Sequence, residues 1–456
     1  MGDGNWVLVG GGGVRGPQFV REAARRADEL GVPEIVLLDV DPSKLALLGS
    51  VSRHLAAQRS TVRVTSTTQP RAALDGAAVV VTAIRPGGDS GRVLDEQIAL
   101  ARGVLGQETT GAAGFAMAMR TIPAIRGYAT LMAEVCPDAW LLNLTNPAGM
   151  VVQAVRDEGH TKVVGICDSA NLAQHAVAAY LQRDPGSLRP EVFGLNHLSW
   201  TRAVRDGHGQ DLLAPLLLDD EFRARTLQRI FPPELVAIVR AWINEYLFYW
   251  YFAEQAIERI LAEPLTRGEQ MLQRNRELLD ELRAAGSDRD RALEVYRGYE
   301  QDRRSTYMHY ADPDPHHDDG VGRPRDLGDG PDGYAAVALD VMAALAGGEP
   351  CYTAVNVCNQ GAIDGLADDD VVEVSTLVDA DGIHPLPIGA IPAPQRALVR
   401  SVKTYERLAV AAISARSRHQ AVQALMAHPL VQSYPRAAGL VEDYLRAHAA
   451  YVGVWS

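Results

Sequence analysis

The stretch Gly11-Gly12-Gly13-Val14-Arg15-Gly16 constrains this chain more than any other segment. It follows an apolar run, Trp6-Val7-Leu8-Val9, and precedes a helical pattern over residues 17–30, after which Glu34-Ile35-Val36-Leu37-Leu38-Asp39 reads as a second strand. Strand, glycine turn, helix and strand make a βαβ unit. Gly11, Gly13 and Gly16 fall at the three glycine positions of a dinucleotide-binding turn, where the backbone can approach a pyrophosphate at a helix start. Asp39 is placed to accept from an adenosine ribose diol, which favours NAD over NADP. Further apolar runs at 61–64, 78–82, 140–143 and 163–166 alternate with helical stretches such as 114–136. Strands so uniformly apolar are buried on both faces, so the predicted fold is α/β, a Rossmann-type doubly wound parallel sheet.

Beyond residue 193 the pattern changes. Helical segments are expected over 219–262, 268–284 and 394–425, with a strand-like piece at 371–374. Two units are therefore expected: 1–192, binding NAD, and 193–456, a mostly helical α+β domain carrying substrate, metal and oligomer contacts. Residues 312–333, dense in Asp, Pro, Gly and His, read as an exposed loop, with His316 and His317 either solvated or holding a metal.

Charge narrows the function. The chain has 57 Asp and Glu against 44 Lys and Arg, with no basic block, so a nucleic-acid partner is not expected. Lys44, Lys162 and Lys403 are its only lysines, which leaves anion capture to arginine. Cys136, Cys167, Cys351 and Cys358 form no CxxC pair and read as reduced thiols. No apolar stretch reaches the roughly 18 residues of a membrane span, and the amino terminus lacks a signal's basic region, so a cytoplasmic protein is expected.

Polar segments follow the strand ends, where such sheets bind ligands. They are Arg85 to Glu96, Gly103-Val104-Leu105-Gly106-Gln107-Glu108-Thr109-Thr110-Gly111, Asn143-Leu144-Thr145-Asn146-Pro147, Cys167-Asp168 and Gly194-Leu195-Asn196-His197-Leu198. Together with Tyr246-Leu247, Tyr249 and the blocks 356–361 and 371–374, they resemble the NAD- and metal-dependent glycoside hydrolases of family 4, nearest the 6-phospho-β-glucosidase branch.

The resemblance implies a glycosidase that does not use two flanking carboxylates. Hydride leaves sugar C3 for NAD, the C2 proton is removed, the aglycone leaves C1, water adds, and hydride returns. Cys167 and His197 match the metal ligands, with sugar oxygens and water completing the shell of Mn2+ or another divalent ion. Tyr246 matches the base, with Tyr249 as its alternative. Asn146 is expected between the sugar hydroxyls and the nicotinamide. Asp168 is either a general acid or a ligand of the C2 and C3 hydroxyls. Arg92 matches a contact to the group on C6, or else bridges to Asp95 or Glu96. Arg303 and Arg304 stand where the family carries Arg-Gly-Gly-Ala-Tyr-Tyr-Ser, which leaves C6 phosphate open. Asp168 stands where the β-type branch carries Asn, which leaves the anomer open. A small glycoside substrate and a homo-oligomer of two or four copies are implied. From another class, an NAD-dependent sugar or hydroxy-acid dehydrogenase shares the fold, of the lactate and malate dehydrogenase type, and the Asn-Pro turn.

Overall fold

A computed structural model describes residues 4–311 and 333–456. The loop expected at 312–333, with His316 and His317, lies outside the described residues except for Gly333. The first half alternates strand and helix: β1 (Asn5–Val9), α1 (Gly16–Arg25), β2 (Glu34–Leu38), α2 (Pro42–Ala57), β3 (Arg63–Thr67), α3 (Pro70–Leu74), β4 (Ala77–Thr82), α4 (Gly88–Ala101), α5 (Ala112–Val135), β5 (Trp140–Asn143), α6 (Ala148–Asp157) and β6 (Val163–Gly165). β1 to β6 run parallel in the order β3-β2-β1-β4-β5-β6. The order reverses between β1 and β4, and that switch opens the ligand crevice at the carboxyl ends of the strands. Val79, Val80 and Val81 are all buried, as an apolar run covered on both faces requires.

β3 lies two residues beyond the expected 61–64. It is an edge strand, half exposed, whose pairing with β2 is helped by Arg63 donating to Glu34, so its polar residues belong to the strand.

Strands from the second half complete the sheet. β10 (Cys351–Cys358), β11 (Val371–Asp379) and β12 (Gly382–Pro385) add antiparallel beyond β6, giving nine strands among the described residues. β7 (Arg189–Leu195), β8 (Leu198–Arg205) and β9 (Trp242–Ile243) form a separate antiparallel sheet.

The long helix expected over 219–262 is not formed. Pro232 and Pro233 interrupt it, and Trp242 and Ile243 pair with Thr201 and Trp200 of β8 instead. Short pieces result, including a 3-10 turn over Glu245–Leu247 and helices Phe248–Tyr251 and Ala253–Ala262. The expected helix 394–425 is likewise two, Ala393–Ala415 and Arg418–Ala427. They are parted at Arg416, whose φ is +49°, and Ser417 caps the second by accepting from the Gln420 amide.

One buried network ties the C-terminal helices to the crevice. Asp95 of α4 accepts from both terminal nitrogens of Arg120 on α5, at 2.9 and 2.5 Å, and meets His448 Nε2 at 2.6 Å. All three residues are at most 2% exposed. Asp95→Ala would leave the Arg120 guanidinium buried and unpaired, so a loss of about 3–5 kcal/mol is expected in urea unfolding.

Candidate active site

The glycine turn is shaped by contact. A Cβ on Gly11 would lie 2.7 Å from Leu37 Cβ, and one on Gly16 would lie 2.8 Å from the Gly11 carbonyl, so the turn, β2 and α1 close on each other only without side chains. Gly13 closes the turn by donating to the Gly10 carbonyl and accepting from the Gly16 amide. The Asp39 carboxylate accepts from the amides of Gly12 and Asp41, at 3.0 and 3.1 Å, and is thereby fixed beside the turn.

His197 and Tyr246 meet because one hairpin holds both. Asn196 and His197 form the two-residue turn between β7 and β8, with His197 at φ +60°, the left-handed geometry such turns use. Glu373, wholly buried on β11, supports that turn by accepting from Asn196, Asn356 and Ser199. Asn244 donates to the Ser199 hydroxyl and accepts from the Tyr246 amide, which fastens the 3-10 turn to the same hairpin. The Tyr246 ring then lies flat on the His197 imidazole, 3.7 Å between centroids and 3° between planes. Tyr249 is buried, and its hydroxyl meets the Met308 sulfur.

Cys167, just past β6, is 1% exposed. Burial, with Glu373 and Asp168 nearby, holds its thiol well above the ordinary value. Burial pushes His197 down to about 3, so the imidazole is neutral, the form that ligates. Neither His197 ring nitrogen has a hydrogen-bond partner among the described residues. Two orphaned nitrogens on a buried neutral imidazole fit a divalent ion. Among the described residues no three His, Cys, Asp or Glu side chains converge on one point.

Asp168 is gathered with Arg15 and Tyr334. It lies near Tyr334, and the Arg15 guanidinium lies over the Tyr334 ring at 4.9 Å. Burial raises the Asp168 carboxyl despite Arg15. Asn146, after β5, is half buried and its peptide bond to Pro147 is cis.

A cluster of arginines adjoins this group. Arg92 is 2.8 Å from Glu96 and 3.2 Å from Glu108, and Arg85 is 2.7 Å from Glu108. The bridge to Glu96 is thus formed, while Asp95 belongs to Arg120 and His448. Burial opposes the charged form of Glu108, yet Arg85 and Arg92 hold its carboxyl well below the usual range. Arg303 donates to the Tyr299 hydroxyl at 3.1 Å and lies near Arg15 and Arg92. The Arg304 side chain lies outside the described residues. Arg267, at the start of a helix over Arg267–Ala285, is pushed down to about 10 by burial and by Arg92, Arg303 and Arg274.

Several of these residues carry no mark in the sequence. Glu108 and Arg85 sit in the polar runs after β4 and were visible as such. Arg15, Arg267 and Tyr334 are ordinary residues whose meeting depends on the tertiary fold.

A model of the family 4 glycosyl hydrolases matches residues 6–183, and one of the family 4 glycosyl hydrolase C-terminal domain matches residues 192–431. The chain belongs to the family 4 glycosyl hydrolases. This family 4 enzyme is 30% identical to a probable 6-phospho-beta-glucosidase of Bacillus subtilis (strain 168), over 98% of this chain and 96% of the relative. It is 27% identical to a maltose-6'-phosphate glucosidase of the same organism, over 97% and 95%. The structure of the 6-phospho-beta glucosidase from Thermotoga maritima with manganese, NAD+ and glucose-6-phosphate matches with a TM-score of 0.81 and 26% identity, over 98% of this chain and 99% of that one. No helix among the described residues is long and apolar enough to cross a membrane.

Proposed function

We propose that this glycosyl hydrolase cleaves 6-phosphoglucosides by oxidation at C3, C1–C2 elimination, water addition and re-reduction. The observation that carries the reading is the Tyr246 phenol stacked on His197 beside Cys167, with a crowded arginine group next to it. NAD would lie along the Gly11–Gly13–Gly16 turn with its ribose on Asp39, and Cys167 and His197 would hold Mn2+ or a similar ion. When bound, these groups supply the hydride acceptor for C3 and the positive charge that makes the C2 proton acidic.

The chain's own residues do the rest. Burial holds the Tyr246 phenol well above its ordinary value, and the bound cation would offset this, so that Tyr246 gives up its own proton and takes the C2 proton at its phenolate oxygen. Asn146 holds sugar hydroxyls against the nicotinamide side of the crevice. Asp168, adjacent to Cys167 and oriented by Tyr334 and Arg15, takes the C2 and C3 hydroxyls or protonates the leaving group. Because the proton is lost from C2 before the aglycone leaves, the chemistry accepts either anomer, in keeping with relatives named for both.

Arg92 is neutralised by Glu96 and Glu108, so recognition of the C6 phosphate falls to Arg303 and Arg267. Their guanidiniums stand close to one another and to Arg92, an arrangement a bound dianion stabilises. The test compares aryl α- and β-glucosides with and without 6-phosphate, in the presence of NAD and Mn2+. Wild type is expected to prefer the phosphorylated compounds, and Arg303→Ala to lower that preference roughly ten- to a hundredfold in kcat/KM. A variant with the wild-type preference would remove Arg303 from phosphate recognition.

A further inference from the structure

Arg303 is held by one oxygen. The residue is half-buried near the end of a helix over Arg289–Ser305, and the hydrogen-bond partner of its guanidinium among the described residues is the Tyr299 hydroxyl, at 3.1 Å. The helix over Arg267–Ala285 starts beside it. Arg267 donates to the Thr306 hydroxyl at 2.8 Å, and the Gly268 amide donates at 2.7 Å to Glu96, the carboxylate that bridges Arg92. These bonds bring the ends of the two helices to the arginine group.

Tyr299 carries the contact on toward the crevice. Its hydroxyl lies 2.6 Å from Asn275 Oδ1, and Asn275 Nδ2 lies 2.7 Å from Asp89 Oδ2, in the first turn of α4. Asp89 sets every direction in this chain. A carboxylate only accepts, so Asn275 must turn its NH2 group to Asp89 and its oxygen to Tyr299. The tyrosine has one proton, gives it to that oxygen, and is left with lone pairs facing Arg303.

Packing of the two helices does not call for such a chain. The Tyr299 ring sits in an apolar cluster with Leu278, Leu282 and Tyr296, laid on Leu48 and Leu55 of α2, and a phenylalanine would fill the same place. Asn275 and Tyr299 are 7% and 9% exposed. An amide and a hydroxyl so buried must be desolvated, and what their alignment provides is an acceptor fixed against Arg303.

We propose that Tyr299 and Asn275 are positioning residues for recognition of the C6 phosphate: the chain from Asp89 through Asn275 and Tyr299 aims the Arg303 guanidinium, and so sets how strongly the phosphorylated sugar is preferred. The inference deepens the phosphate reading above and rests on it. A guanidinium held through one nitrogen keeps its other donors for a dianion, and an arm fixed beforehand gives up less side-chain freedom on binding.

The test uses the full-length enzyme with NAD and Mn2+ and compares kcat/KM for aryl glucosides with and without 6-phosphate, with competition by inorganic phosphate as a binding readout. Tyr299→Phe is expected to lower the ratio of phosphorylated to plain compound about three- to tenfold, carried by KM rather than kcat, and to weaken inhibition by inorganic phosphate by a like factor. Asn275→Leu leaves the hydroxyl in place but removes what directs it, and is expected to lower the ratio about two- to fivefold. In the Arg303→Ala background, Tyr299→Phe should change the ratio no further, since it acts through Arg303. A wild-type ratio in Tyr299→Phe beside a lowered one in Arg303→Ala would overturn the proposal and leave the phosphate reading standing. So would equal losses on both compounds, the mark of a residue that only holds the helices together, or losses that add in the double variant. A wild-type ratio in Arg303→Ala itself would remove the phosphate reading and this inference together.

Discussion

Tyr246→Phe is expected to bind NAD and sugar phosphate as the wild type does and to lose turnover by about a hundredfold to ten-thousandfold, the usual contribution of a positioned base. The substitution removes one oxygen. The flat contact with His197 belongs to the ring, and the Asn244 cap belongs to the backbone, so both survive in phenylalanine. Tyr249, the other tyrosine on this segment, is not placed to substitute, because it is buried with its hydroxyl turned to Met308. Loss of turnover with unchanged binding, read from kcat beside an NAD titration, is the expected result. If KM or NAD affinity changes instead, Tyr246 acts in binding.

Cys167→Ser is the second large effect. A serine hydroxyl in the same buried place is a far poorer ligand than a thiolate, and the proposed site would then keep His197 as its one strong donor among the described residues. Loss of a partner that merely orients a ligand typically costs about ten- to a hundredfold in metal affinity, so loss of the ligand itself is expected to cost at least about a hundredfold. The measurement is a Mn2+ titration followed both by activity and by calorimetry on the enzyme without substrate. Asp39 is held by the amides of Gly12 and Asp41, so NAD binding at its ribose end serves as the control. Full activity of Cys167→Ser in the presence of chelator would exclude the assignment.

The sheet was legible because its signal is local. An apolar run such as 78–82 needs no knowledge of its neighbours to read as a buried strand, and the glycine turn between β1 and α1 has one steric meaning wherever it occurs. The failure over 219–262 has the opposite cause. Its aromatic and apolar residues fit a helical stripe, but Trp242 and Ile243 are claimed by β8, a partner some forty residues earlier. That exchange puts Tyr246 on a 3-10 turn and under His197.

The site was legible in a different way. Cys167, His197 and Tyr246 were marked by resemblance, since a lone cysteine after a strand or a tyrosine in an aromatic segment carries no chemistry by itself. What resemblance could not give is their support. Glu373 under the hairpin and Glu108 between Arg85 and Arg92 lie in runs that were marked, but nothing in those runs assigns them these partners. The arginines are a similar case. Arg92 was marked, and its charge is answered by Glu96 and Glu108, while Arg267, unmarked, is buried near Arg303 and Arg274.

The central claim is that the C2 proton leaves the sugar during hydrolysis. The most direct test runs the wild-type reaction on an aryl 6-phosphoglucoside in heavy water, with NAD and Mn2+, and examines the sugar phosphate released. The account predicts deuterium at C2 of the product with no net accumulation of NADH. Product without deuterium at C2, or NADH formed in step with substrate consumed as a dehydrogenase would give, would contradict it.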